Sequence, residues 1–235
     1  MEHRVALADM PDAFARWRER CASVLYPVRA PAEAEQMQEE TASERSARLR
    51  TEQWKENLLR TSPMVRFMVK HLALVGCNPV SPREGDLPPK IFIGMCPPDV
   101  AGGFSPSPPG RPPSEAGLMV CANRLLGKTH MEDTLAHEMI HWWDHCRFNV
   151  DWSNLNHHAC SEIRAASLSG DCRWSRELRR HNFGIVKQHQ KCVRRRAILS
   201  VESNPACPDH EAAVRAVDEV WDACFNDTRP FDEIY

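Results

Sequence analysis

Leu135-Ala136-His137-Glu138-Met139-Ile140-His141 is the stretch on which the reading of this chain turns. It holds a His-Glu-x-x-His pattern, and on a helix positions four apart lie on one face, one turn above each other. His137 and His141 can therefore offer two imidazole nitrogens to a single metal. Glu138, one step round the helix, can reach a water on that metal without being a ligand. That is the physical content of the zinc-peptidase motif. The bland alternative is an amphipathic helix carrying two surface histidines, and with eleven histidines in the chain it must be weighed.

A catalytic zinc needs a third protein ligand beside its open water position. A metzincin would place a glycine three residues after the second histidine and a third histidine three further on. Those positions are Asp144 and Arg147, which excludes that class. Glu162 lies 21 residues past His141, in Ala159-Cys160-Ser161-Glu162-Ile163-Arg164, a separation that resembles the gluzincin arrangement. An ordinary exposed helix glutamate is the alternative there. His145 is eight residues beyond His137, about 12 Å along a continuous helix, so it cannot join both other histidines on one ion. The expected site is His137, His141 and Glu162 around one Zn2+, with Glu138 as general base. Asp144 and Asp151 are candidates to orient a ligand histidine, or plain solvated and capping acids. His145, His157 and His158 are candidate donors to an oxyanion, or structural.

At 235 residues the chain can bury one sizeable core. A net charge of −2 gives no global attraction to nucleic acid or membrane. Apolar stretches such as Met64–Cys77 are interrupted by Arg66, Lys70 and His71, so no membrane-spanning helix is expected. The first residues lack the pattern of a signal or transit peptide. Ten cysteines, with no Cys-x-x-Cys among them, predict up to five disulfides and an oxidising compartment, buried free thiols being the alternative. The sequence does not pair them.

Residues 1–50 read as a charged, partly helical arm anchored by Trp17, Cys21 and Tyr26, with a helix over 31–60 beginning at Pro31. Pro63 opens a packed helix ending at Gly76. Ile91-Phe92-Ile93 and Gly117–Cys121 are short strands. Residues 97–114 hold seven prolines and three glycines in eighteen positions, which predicts a loop without regular structure. The motif helix spans 130–147, preceded by Leu118–Cys121 as the candidate edge strand for a substrate backbone. Helices follow over 157–168, 173–200 with a possible break at Gly184, and 209–225, and the tail TRPFDEIY is expected to be loosely ordered. The fold class is α+β, mostly helical: a small zincin-like, gluzincin-type metallopeptidase domain over 51–235 with a short β-sheet. Between Arg173 and Arg196 stand nine basic residues and one acid, Glu177, a candidate contact for anionic phospholipid, or a solvated face. No nucleic-acid partner is expected, because no aromatic residues interleave the basic ones in the manner of such sites.

Taken together, Trp54–Cys77, Gly102-Gly103-Phe104, Thr134–Arg147, Val150–Cys172 and Ala216–Phe231 resemble the mitochondrial intermembrane-space metallopeptidase family that matures and helps assemble a subunit of the ATP synthase. SEIRAASLSGDC and the CFND ending are the most specific parts. The resemblance covers most of residues 50–232. It implies zinc endopeptidase activity on an ATP synthase subunit precursor, a chaperone role separable from proteolysis, oxidised cysteines, and peripheral association with the inner membrane on its intermembrane-space side. The Pro-rich loop reads as an insertion, and the first 50 residues carry none of the matching stretches. The rival reading is a non-catalytic, disulfide-braced assembly factor with a structural metal site.

Overall fold

Thr41 starts the first helix with a reciprocal cap: its Oγ1 accepts from the Glu44 N–H at 3.2 Å, and the Glu44 carboxylate accepts from the Thr41 N–H at 2.9 Å. The computed structural model describes residues 41–83, 88–96, 100–108, 110–180 and 187–232. These divide into two compact units, one ending at Phe148 and the other beginning at Asn149. The expected helix start at Pro31, the anchors Trp17, Cys21 and Tyr26, the break at Gly184 and the last three residues lie outside the described residues.

In the first unit, helix α1 (Ala42–Thr61) buries only Thr51 and Leu58, as its charged composition requires. Ser62 ends it and opens α2 (Pro63–Leu74), where its Oγ accepts from the Val65 N–H at 3.1 Å and Pro63 takes a first-turn position needing no donor. Gly76, at φ +79°, turns the chain out of α2, a conformation costly for any residue with a Cβ. Three strands form one sheet in the order β1 (Ile91–Gly94), β3 (Gly117–Cys121), β2 (Gly102–Ser105). β1 runs parallel to β3, with Ile91 opposite Leu118, and β2 runs antiparallel to it, with Gly103 opposite Met119.

Two expectations are corrected here. Leu118–Cys121 is the central strand, not the edge; all five residues of β3 are buried and both its sides are paired. Within 97–114, Gly102–Ser105 is a proline-free window that keeps its backbone N–H groups and forms the edge strand β2, and Pro113–Glu115 makes a 3-10 turn. Helix α3 (Lys128–Arg147) carries the motif and is buried nearly continuously from Met131 to Asp144. Disulfides Cys77–Cys146 and Cys96–Cys121 close loops of 69 and 25 residues in this unit.

The second unit is helical. Asn154 caps α4 (Leu155–Leu168) by accepting from the N–H groups of Asn156 at 2.9 Å and His157 at 3.2 Å. Helices α5 (Trp174–Arg179), α6 (Gln188–Glu202) and α7 (His210–Phe225) follow, the last capped by Asp209. Ala159, Ile163 and Ala166 of α4 pack with Val193, Ala197 and Val201 of α6 and with Ala213 and Val217 of α7. Disulfide Cys160–Cys224 joins α4 to α7, and Cys172–Cys192 reaches α6. Of the helical stretch expected over 173–200, the described residues hold two helices, one ending at Arg179 and one beginning at Gln188. The buried Glu177 accepts from Arg180 at 3.0 Å, Arg195 at 3.0 Å and Gln188 at 2.8 Å, which binds the short helix to the long one.

Candidate metal centre

His137 and His141 stand one turn apart on α3, with ring centroids 4.8 Å apart and nearly perpendicular planes. Both are buried, as is Glu138, because α3 is covered along most of its length. Glu162, on α4, is also buried. His137 and His141 belong to the first unit and Glu162 to the second, and all three side chains are buried. Two imidazoles and a carboxylate are the nitrogen and oxygen donors that suit a first-row transition metal, and three protein ligands leave one position open. The donor set fits a metal.

β2 approaches this helix closely. A Cβ on Gly102 would stand 2.6 Å from Thr134 Cγ2, 3.0 Å from the Met119 carbonyl oxygen and 3.7 Å from Glu138 Cγ. Only a glycine lets the strand backbone come so near the helix, within reach of Glu138.

The other residues singled out from sequence have other roles. His145 is half-buried, with its Nε2 3.3 Å from Ser107 Oγ and its ring 5.5 Å from Phe104. Burial pushes its pKa below the ordinary histidine value, so the ring is neutral at pH 7. Asp151 holds a turn: its carboxylate accepts from Ser153 Oγ at 2.6 Å and Ser153 N–H at 2.9 Å, and these bonds lower its pKa. His157 Nδ1 accepts from the Asp151 N–H at 3.1 Å, within the same turn. Asp144 is buried on α3. His158 lies beside Glu162, 3.5 Å from its Oε1.

Sequence reasoning missed Ser200 and Asn204. Ser200 Oγ donates to Glu162 Oε1 at 2.6 Å, and Asn204 bonds His158 at 2.8 Å. Neither belongs to a recognisable motif, and they lie 38 and 46 residues from these partners, so no local pattern could have found them.

A buried His-Glu-x-x-His helix is the arrangement of a metal-dependent peptidase. A sequence profile of the Peptidase M76 family matches residues 49–232, and the chain belongs to that family. It is 60% identical over 237 residues to the mitochondrial inner membrane protease ATP23 of Malassezia globosa, covering 96% of each chain. It is 57% identical over 209 residues to the protein of that name from Mycosarcoma maydis (84% of this chain, 96% of the relative). The Saccharomyces cerevisiae protein of that name is 49% identical over 191 residues, 80% of this chain and 79% of the relative. At 96% coverage the first of these alignments extends well into residues 1–50, which sequence reading had left without a match. No solved structure matches the chain.

Proposed function

We propose that the protein is a zinc metalloendopeptidase of the mitochondrial inner membrane, with His137, His141 and Glu162 as the zinc ligands and Glu138 as the general base. The buried helix that carries His137, Glu138 and His141 supports this reading most strongly. When bound, zinc supplies a Lewis acid that polarises the scissile carbonyl and brings the pKa of a water to about 7. Glu138 takes that water's proton on its carboxylate and delivers it to the leaving amine. Its place one step from His137 on the same rigid helix holds it to that task. The edge strand β2 takes an extended segment of substrate by backbone pairing, and Gly102 brings that segment near Glu138.

The substrate is a polypeptide, and the family resemblance points to the precursor of an ATP synthase subunit, with a chaperone role in assembly beside cleavage. Inner-membrane residence follows the names of the relatives, mitochondrial inner membrane proteases. Among the described residues no helix is long and apolar enough to cross a membrane, which favours peripheral attachment. Four disulfides favour the oxidising intermembrane-space side. The membrane contact falls within 173–196: Trp174 and Leu178 are exposed one turn apart on α5, and Lys191 on α6 is exposed as well.

Metal analysis and cleavage of a candidate precursor, on the parent and on Glu138→Gln, test the reading together. The expected result is about one zinc per chain in both, with cleavage by the variant reduced about 10²–10⁴-fold. Zinc without cleavage by the parent would favour a non-catalytic assembly factor with a structural metal.

A further inference from the structure

Glu162 is held from one side before any metal arrives. Its Oε1 accepts from Ser200 Oγ at 2.6 Å and lies 3.5 Å from His158 Nε2. The direction of each proton follows from the neighbours. The Ala206 N–H donates to Asn204 Oδ1 at 2.9 Å, which fixes that amide. Asn204 Nδ2 then faces the Trp152 carbonyl at 2.9 Å and His158 Nδ1 at 2.8 Å. His158 Nδ1 must accept, so the proton of the neutral imidazole sits on Nε2, toward Glu162 Oε1 and, at 3.4 Å, Ser200 Oγ. Ser200 Oγ accepts from the histidine and donates its own O–H hydrogen bond to the carboxylate. His158, Asn204 and Glu162 are all less than one-tenth exposed, and Ser200 is half-buried, which strengthens these bonds relative to exposed ones.

We infer that Ser200, seated by His158 and Asn204, is a positioning residue that pins Glu162 Oε1 and so fixes the orientation in which the carboxylate would meet the metal. The inference rests on the proposed role of Glu162 as a ligand. A carboxylate rotates broadly about its last torsion, and a metal binding an unpinned one must freeze that freedom itself. The Ser200 bond sets the rotation in advance, from α6 onto α4, two helices already packed through Ile163 and Ala197. Partners of this kind tune metal affinity by about 10- to 100-fold.

The test uses the full chain as parent, Ser200→Ala, Ser200→Thr and Glu162→Ala. The zinc dissociation constant is read by competition with a chelating dye, and melting is followed after metal removal. Ser200→Ala is expected to bind zinc about 10- to 100-fold more weakly while its metal-free melting temperature matches the parent. Ser200→Thr, which keeps the hydroxyl, is expected to recover most of the affinity. Parent-like affinity in Ser200→Ala would overturn the inference, and so would a threonine variant as weak as the alanine one. A metal-free Ser200→Ala melting well below the parent would make the residue merely structural and equally overturn it. Glu162→Ala separates the two levels. If it loses zinc while Ser200→Ala keeps it, only the role of Ser200 falls; if it binds like the parent, the ligand assignment falls and Ser200 with it.

Discussion

At His145 a neutral imidazole rests against Phe104 on the helix that carries the motif, and acid is expected to work against it. The unfolded ring titrates near about 6.5 and the folded one lower, so between those values the unfolded chain binds more protons. The stability this ring allows is complete above about pH 6.5 and erodes as pH falls toward the folded value. Melting curves of the metal-free protein from about pH 7.5 downward should therefore fall less steeply for His145→Gln than for the parent; equal slopes would remove His145 from the account. The same variant should keep its zinc, since His145 is not one of the proposed ligands. Gly102 makes a different demand. Its missing Cβ would strike Thr134 Cγ2, so Gly102→Ala must turn that side chain or lift β2. The expected cost is about 1–3 kcal/mol of stability, with lower kcat/KM and unchanged zinc content. An alanine variant with full activity would show that β2 need not lie so near Glu138.

Among the elements, those signalled locally were read closely. Strand Gly117–Cys121 and the ends of α2 and α7 follow from apolar runs, Pro63, Gly76 and the cap at Asp209. The motif gave His137, Glu138 and His141 their helix, because four-residue spacing has few other uses. Strand order was not legible: whether β3 is central depends on β2 returning to it, and a proline-rich stretch hid those four residues. Among the nine basic residues in 173–196, Arg196 and Arg194 meet acids from outside the run, which local sequence does not show: Asp171 and Asp218 reach them at 2.7 Å each. Glu177 is the central member of that network, joining Arg180, Arg195 and Gln188. Its replacement by alanine should destabilise the second unit by about 1.5–3 kcal/mol, since charge-assisted bonds to a buried carboxylate are lost. Urea unfolding at neutral pH measures this, and a loss below about 0.5 kcal/mol would mean that water replaces the carboxylate without cost.

For the molecule as a whole, the even cysteine count foretold cross-linking, but the pairs span 20 to 69 residues, so only the fold could match them. Alkylation without reductant should leave the eight paired cysteines unmodified and label Cys207, the free thiol among the described residues; wholesale labelling would contradict the four bridges. Attachment to a bilayer should weaken in Trp174→Ser and Lys191→Glu, assayed by sedimentation with vesicles of neutral and anionic lipid. Equal binding of the parent to both vesicle types would remove charge from the explanation. The edge formed by β2 has a consequence for crowding. An open strand is a template for any extended chain, including another copy of the same protein, and long open edges lead to aggregation. Here the ladder stops at Ser105, and prolines at 106 and 108 lack the N–H groups that would prolong it. On the proposed reading this edge would admit a short guest, while its length would be too small for neighbouring copies to extend into a continuous sheet.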